Sequence, residues 1–189
     1  KLFGVGGAGC NTVNYMIARG LQGVEFICAN SDAEALARSA AIHTIQLGAS
    51  GLGFGSQPDM GRAAANAAIA TIRAAIEGTR LLFITAGMGG GTGTGAAPVI
   101  ARIARDMGIP SVGLVTMPFE WEGDLRLSHA EAGLIELQAN VYSMIVLHND
   151  RLLSALGDDV TQDEAFDFVN NQLKFVMAGL AEASTYPGL

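Results

Sequence analysis

A chain of 189 residues, half of them apolar, is long enough for one sizeable core and too apolar to stay disordered. Its net charge of −7 and its scattered arginines exclude the basic patch of a nucleic-acid binder. No apolar run approaches the roughly 20 residues that span a bilayer, and no amphipathic membrane helix or lipidation motif argues for direct membrane insertion.

Residues 2–5 (Leu-Phe-Gly-Val) read as a buried strand. The stretch Gly4-Val5-Gly6-Gly7-Ala8-Gly9 that overlaps it fits G-x-G-x-x-G, with Asp32 lying 23 positions after Gly9. Alone, that pattern serves a dinucleotide site or any tight strand-to-helix turn. A helix is expected over about 11–19, a second strand over 24–29 and a short helix from Asp32. Residues 44–47 form a third short strand, and a glycine-rich loop follows up to Pro58. An alanine-rich helix is expected over 61–77.

The fourth strand, 81–86, leads into Gly87-Met88-Gly89-Gly90-Gly91-Thr92-Gly93-Thr94-Gly95. A helix over 96–107 comes next. A strand, a glycine loop and a helix start form an anion site: backbone N–H groups approach the ligand and the helix dipole favours negative charge. Threonine hydroxyls there can bond phosphate oxygens. The two lysines, Lys1 and Lys174, lie far from both glycine clusters, so this is not the lysine-bearing phosphate loop. A fifth strand over 111–116, a helix over 124–140 and a sixth strand over 144–147 follow. A short helix near 151–155 and a long one over about 162–185 end the chain.

Strands alternating with helices imply an α/β fold: a Rossmann-like three-layer domain with a mostly parallel six-stranded sheet and a long C-terminal core helix, 1–189 forming one unit. Ligands then bind beyond the carboxyl ends of the strands, where strand order reverses. Two phosphate-type turns, after strands one and four, face one crevice. One such turn suffices for a dinucleotide, whereas two suit a triphosphate held from both sides, with 51–55 as a third contact. Cys10 and Cys28 show no metal spacing, and His43, His129 and His148 form no cluster. Cys10 has two readings: a thiol activated at a helix N-terminus, or a small buried residue. Lys1 at the start and Tyr186-Pro187-Gly188-Leu189 at the end suggest a piece of something longer.

The glycine–threonine run closely resembles the signature of the tubulin/FtsZ superfamily of GTPases. The match resembles its bacterial cell-division branch along the whole length, through 4–11, 23–32, the loop before Pro58, 87–98, 116–123, 149–153 and 187–189. The resemblance implies that Gly7, Ala8, Gly9, Cys10 and Asn11 form a first GTP loop, and Gly90, Gly91, Thr92, Gly93 and Thr94 a second. Thr116 and Pro118 then lie beside the sugar, Glu122 contacts the ribose and Arg126 the nucleotide. Phe166 stacks on guanine, Asn170 reads its N1/N2 edge, and Asn149 adds a base or sugar contact. GTP or GDP is the implied ligand, with Mg²⁺ held mainly through the phosphates.

The same resemblance implies head-to-tail filaments, cell-division partners and a cytoplasmic location at the division site. Hydrolysis would need an acidic loop from the next subunit, which family members carry just after the position of Leu189, and a second domain would follow the long helix. No catalytic residue is then expected within 1–189. Two other readings stay open: a non-catalytic relative that regulates filaments, and an NAD(P)-dependent oxidoreductase. The sequence departs from the family pattern at Ala8 and Cys10, in a 48–58 loop about three residues short, at His148, and at Asp167-Phe168. Asp167 is expected to face solvent.

Overall fold

A computed structural model describes residues 1–154 and 160–185. Residue 155 at the end of the expected short helix, and the 187–189 motif, lie outside the described residues. The elements run β1 (Leu2–Val5), α1 (Gly6–Ala18), β2 (Phe26–Asn30), α2 (Ala33–Ala37), β3 (His43–Gln46), α3 (Pro58–Ala67), α4 (Ile69–Ile76) and β4 (Leu82–Gly87). They continue with α5 (Gly91–Asp106), β5 (Ser111–Met117), a 3₁₀ turn (Glu120–Glu122), α6 (Asp124–Gln138), β6 (Ser143–His148), α7 (Asn149–Leu153) and α8 (Gln162–Thr185).

The six strands form one sheet in the order β3-β2-β1-β4-β5-β6, and every neighbouring pair is parallel. The expected Rossmann-like fold is therefore observed, with no antiparallel edge among the described residues. Helices cover both faces, which is why β1, β2 and β4 read as nearly continuous apolar runs. One core joins the sheet to the helices that include α3, α4 and α5. The other joins it to α1 and α8. Ala165, Val169, Leu173 and Met177 of α8 recur every four residues and are all buried. Strand order reverses between β1 and β4, so the turns after these two strands meet at one point of the rim.

Three boundaries differ from expectation for physical reasons. α1 begins at Gly6 rather than near residue 11, and α5 at Gly91 rather than 96. Low helix propensity suggested loops there, but close packing outweighs it. A Cβ on Gly9 would strike the Thr85 carbonyl, and one on Gly95 would strike the Pro58 carbonyl. The glycines are thus the first turns of the helices, drawn against β4 and α3. The expected 61–77 helix starts earlier, with Pro58 at its first position, where a missing N–H costs nothing. It also breaks at Ala68, whose N–H is shared between the Ala64 and Ala65 carbonyls. Nothing in the alanine-rich sequence marks that break.

Candidate nucleotide site

Beyond the carboxyl ends of the strands lies a cleft of about 800 Å³, adjoining a smaller lobe of about 370 Å³. Gly7, Ala8, Asn11, Gly87 and Arg126 line both, so the two form one continuous space. The smaller lobe is walled by the starts of α1 and α5, by Asn30, Ser31 and Asp32 after β2, and by Gly53, Phe54 and Gly55. The larger is walled by Thr116, Pro118, Glu122, Asn149, Phe166 and Asn170, and also by Thr12.

The smaller lobe has the character of an anion site. Neither α1 nor α5 has a side-chain N-cap, so their first-turn amides lack the usual partners. Both dipoles add positive potential at the same place. The turns are in contact: a Cβ on Gly6 would lie 2.8 Å from the Gly93 nitrogen, and one on Gly87 would lie 2.6 Å from the Ala8 Cβ. The N–H of Gly91 is already engaged by the Gly55 carbonyl at 2.6 Å. The first turn of α5 therefore faces the lobe with the amides of Thr92 and Gly93, while Gly91 anchors the 48–58 loop.

The threonine hydroxyls have protein partners. Thr94 Oγ1 accepts from the Gly89 N–H at 2.7 Å and is buried, bracing the loop from within. Thr92 Oγ1 lies 2.7 Å from Ser31 Oγ, also buried. Ser31 had no assigned role in the sequence, although its place in a polar run after a buried strand was the available signal. Asp32 lines the lobe, but its Oδ1 accepts from the Ala35 N–H and caps α2. The acid that a dinucleotide reading needs for the ribose is thereby tied to a helix start.

In the larger lobe, Glu122 and Arg126 form an ion pair of 3.0 Å one helical turn apart. The other oxygen of Glu122 accepts from the Phe119 N–H at 2.9 Å. Arg126 Nε and Asn149 Oδ1 are buried without a hydrogen-bond partner among the described residues. Buried polar atoms are rarely left so, and both residues line the cleft. Phe166 packs edge-on against Phe119, which stacks on Trp121 at 4.0 Å between centroids. Thr12 Oγ1 lies 2.8 Å from Asn170 Oδ1 and 3.0 Å from the Ala8 carbonyl. Asp167 is exposed yet stands on the cleft wall, so it meets both solvent and site.

Gly9 and Cys10 lie behind the first loop rather than on the cleft wall. Cys10 Sγ points to the Gly4 and Ala29 carbonyls at 3.7 and 3.6 Å. Its hydrogen bond with Cys28, together with burial, pushes the Cys10 thiol well above the ordinary range. The activated-thiol reading is therefore corrected: Cys10 is a buried, protonated core residue. Among the described residues no group of His, Cys, Asp and Glu is arranged to hold a metal ion, and no helix is long and apolar enough to cross a membrane.

Residues 1–157 match the family model described as Tubulin/FtsZ family, GTPase domain. The chain belongs to the tubulin/FtsZ family. It is 51% identical over 190 residues to the cell division protein FtsZ of Neisseria meningitidis serogroup A, covering 99% of this chain and 48% of that protein. It is 47% identical over 192 residues to that of Coxiella burnetii, covering all of this chain and 50% of the relative. It thus spans about half the length of these tubulin/FtsZ relatives. A solved FtsZ dimer from M. jannaschii superimposes with a TM-score of 0.92 at 37% identity, covering all of this chain and 55% of that one.

Proposed function

We propose that the cleft binds GTP and GDP, as the nucleotide-holding half of a filament-forming GTPase of bacterial cell division. One observation carries this reading: two uncapped helix starts converge on one lobe, and that lobe opens into a second with an aromatic and an amide on its wall. The amides of Gly7, Ala8, Thr92 and Gly93 suit the phosphates, the hydroxyls of Ser31 and Thr92 border them, and Arg126 reaches both lobes. Thr116, Pro118 and Glu122 suit the sugar, and Phe166, Asn149 and Asn170 the base. Mg²⁺ would be carried by phosphate oxygens, where it would neutralise charge. Hydrolysis would be completed by an acidic loop of the next subunit, within head-to-tail filaments assembled with other division proteins at the division site. Such a contact is heterologous and gives open polymers.

The test is a titration with a fluorescent GTP analogue, followed by competition. GTP and GDP should displace the probe, while ATP and NADH should compete far less. Displacement by NADH in preference to GTP would return the site to the dinucleotide reading. Residues 1–189 alone should hydrolyse GTP slowly, and fast turnover independent of protein concentration would overturn the shared active site.

A further inference from the structure

The geometry points to Thr12 as the residue that fixes which end of the Asn170 amide faces the base, and so as a specificity determinant; this rests on the guanine reading above. Asparagine is an ambiguous reader. Its amide presents an acceptor at one end and donors at the other, and rotation by 180° exchanges them with no change in shape. An oxygen turned to the base suits the adjacent donors N1–H and N2–H of guanine. A nitrogen turned to the base suits xanthine, which carries an oxygen in place of that amino group. Aspartate would need no such control, because both of its ends are acceptors.

Thr12 is buried, one helical turn after Ala8 in α1, and its hydroxyl meets the Ala8 carbonyl at 3.0 Å and Asn170 Oδ1 at 2.8 Å. A hydroxyl has one proton, and the Ala8 carbonyl can only accept. With Oδ1 toward Thr12, one short oxygen–oxygen contact is left without a proton between its atoms, and exchanging the two like-shaped ends of the amide removes that conflict. If the amide turns its nitrogen to Thr12, both contacts are satisfied: Thr12 O–H donates to Ala8, and Asn170 N–H donates to Thr12 Oγ. The amide oxygen then faces the cleft, where no described residue engages it. Thr12 is thus a positioning residue. It selects the guanine-reading polarity without needing to touch the nucleotide.

Thr12→Val keeps the shape and removes both hydrogen bonds, and Thr12→Ser keeps them. Both variants and the wild-type protein are titrated with GTP and with XTP. Thr12→Val should lower the GTP-over-XTP preference about tenfold, through weaker GTP and equal or tighter XTP binding. Thr12→Ser should retain the wild-type ratio. Should the valine variant fail to fold by circular dichroism, Thr12→Ala reads the same ratio. A merely structural role would weaken both nucleotides alike, and an unchanged ratio in the folded variants would overturn the assignment. Wild-type protein that binds no guanine nucleotide would instead sink the reading of the cleft. Wild-type preference for GTP that survives Thr12→Val sinks only the role of Thr12.

Discussion

Arg126 lines both lobes of the cleft, is paired with Glu122 at 3.0 Å, and keeps a buried Nε without a partner among the described residues. A guanidinium held at one edge and open at another suits an anion that arrives beside it. Arg126→Ala should weaken GTP and GDP binding about tenfold or more, since hydrogen bonds to charged groups contribute about 1.5–3 kcal/mol each. Glu122→Gln separates two roles for the carboxylate. A residue that only restrains Arg126 leaves binding equal or tighter when neutralised, whereas a ribose contact makes binding weaker. Equilibrium titration of both variants with a fluorescent nucleotide checks this, and an unchanged affinity in Arg126→Ala would remove that side chain from the site. Residues such as Glu122 and Arg126 were visible in the sequence only through the family resemblance, because a surface carboxylate and arginine four apart look like any solvated pair. The contact of Ser31 with Thr92 and the bond from Thr12 to Asn170 were not legible, since they join residues 61 and 158 positions apart.

The glycines around the cleft do two different jobs, which spacing alone does not separate. Gly95 lets α5 approach α3 so closely that a Cβ would strike the Pro58 carbonyl, and Gly61 on α3 likewise meets the Gly91 carbonyl. These positions serve helix packing. Gly7 is the contrasting case: it is exposed on the cleft, and an added Cβ would meet nothing within 4 Å. Gly95→Ala should therefore lower stability by about 1–3 kcal/mol, as overpacking of a tight contact does. Gly7→Ala should leave stability nearly unchanged and weaken nucleotide binding by keeping phosphate from the amides. Urea unfolding and nucleotide titration on both variants check the pair. Equal losses of stability would mean that both glycines are structural. Element type and order were readable from alternation of apolar runs, and β1 and α8 match even at their ends. Helix starts were misplaced wherever glycine was read as a loop former, because the contact that favours it comes from a distant strand or helix.

At the scale of the molecule, the site exists because parallel strand order reverses between β1 and β4, which brings two helix dipoles to one rim. That convergence has a cost in the free protein. Like partial charges face each other, first-turn amides other than that of Gly91 lack partners, and Arg126 Nε and Asn149 Oδ1 are buried unpaired among the described residues. A polyanion with a base attached relieves all of these together, so ligand and fold should be strongly linked. Any ligand that binds only the folded state stabilises it by mass action, about 2.7 kcal/mol at a concentration of 100 Kd. For a chain of this size each kcal/mol raises Tm by about 2–4 °C, so saturating GTP or GDP should raise it by roughly 5–10 °C. Inorganic triphosphate fills only the smaller lobe and should give a smaller shift, while NADH at the same concentration should give none. Thermal unfolding followed by circular dichroism, with each ligand in turn, measures the ranking. A shift from triphosphate equal to that from GTP would show that the Phe166 and Asn170 wall contributes nothing to binding, and would separate the phosphate lobe from any role in reading the base.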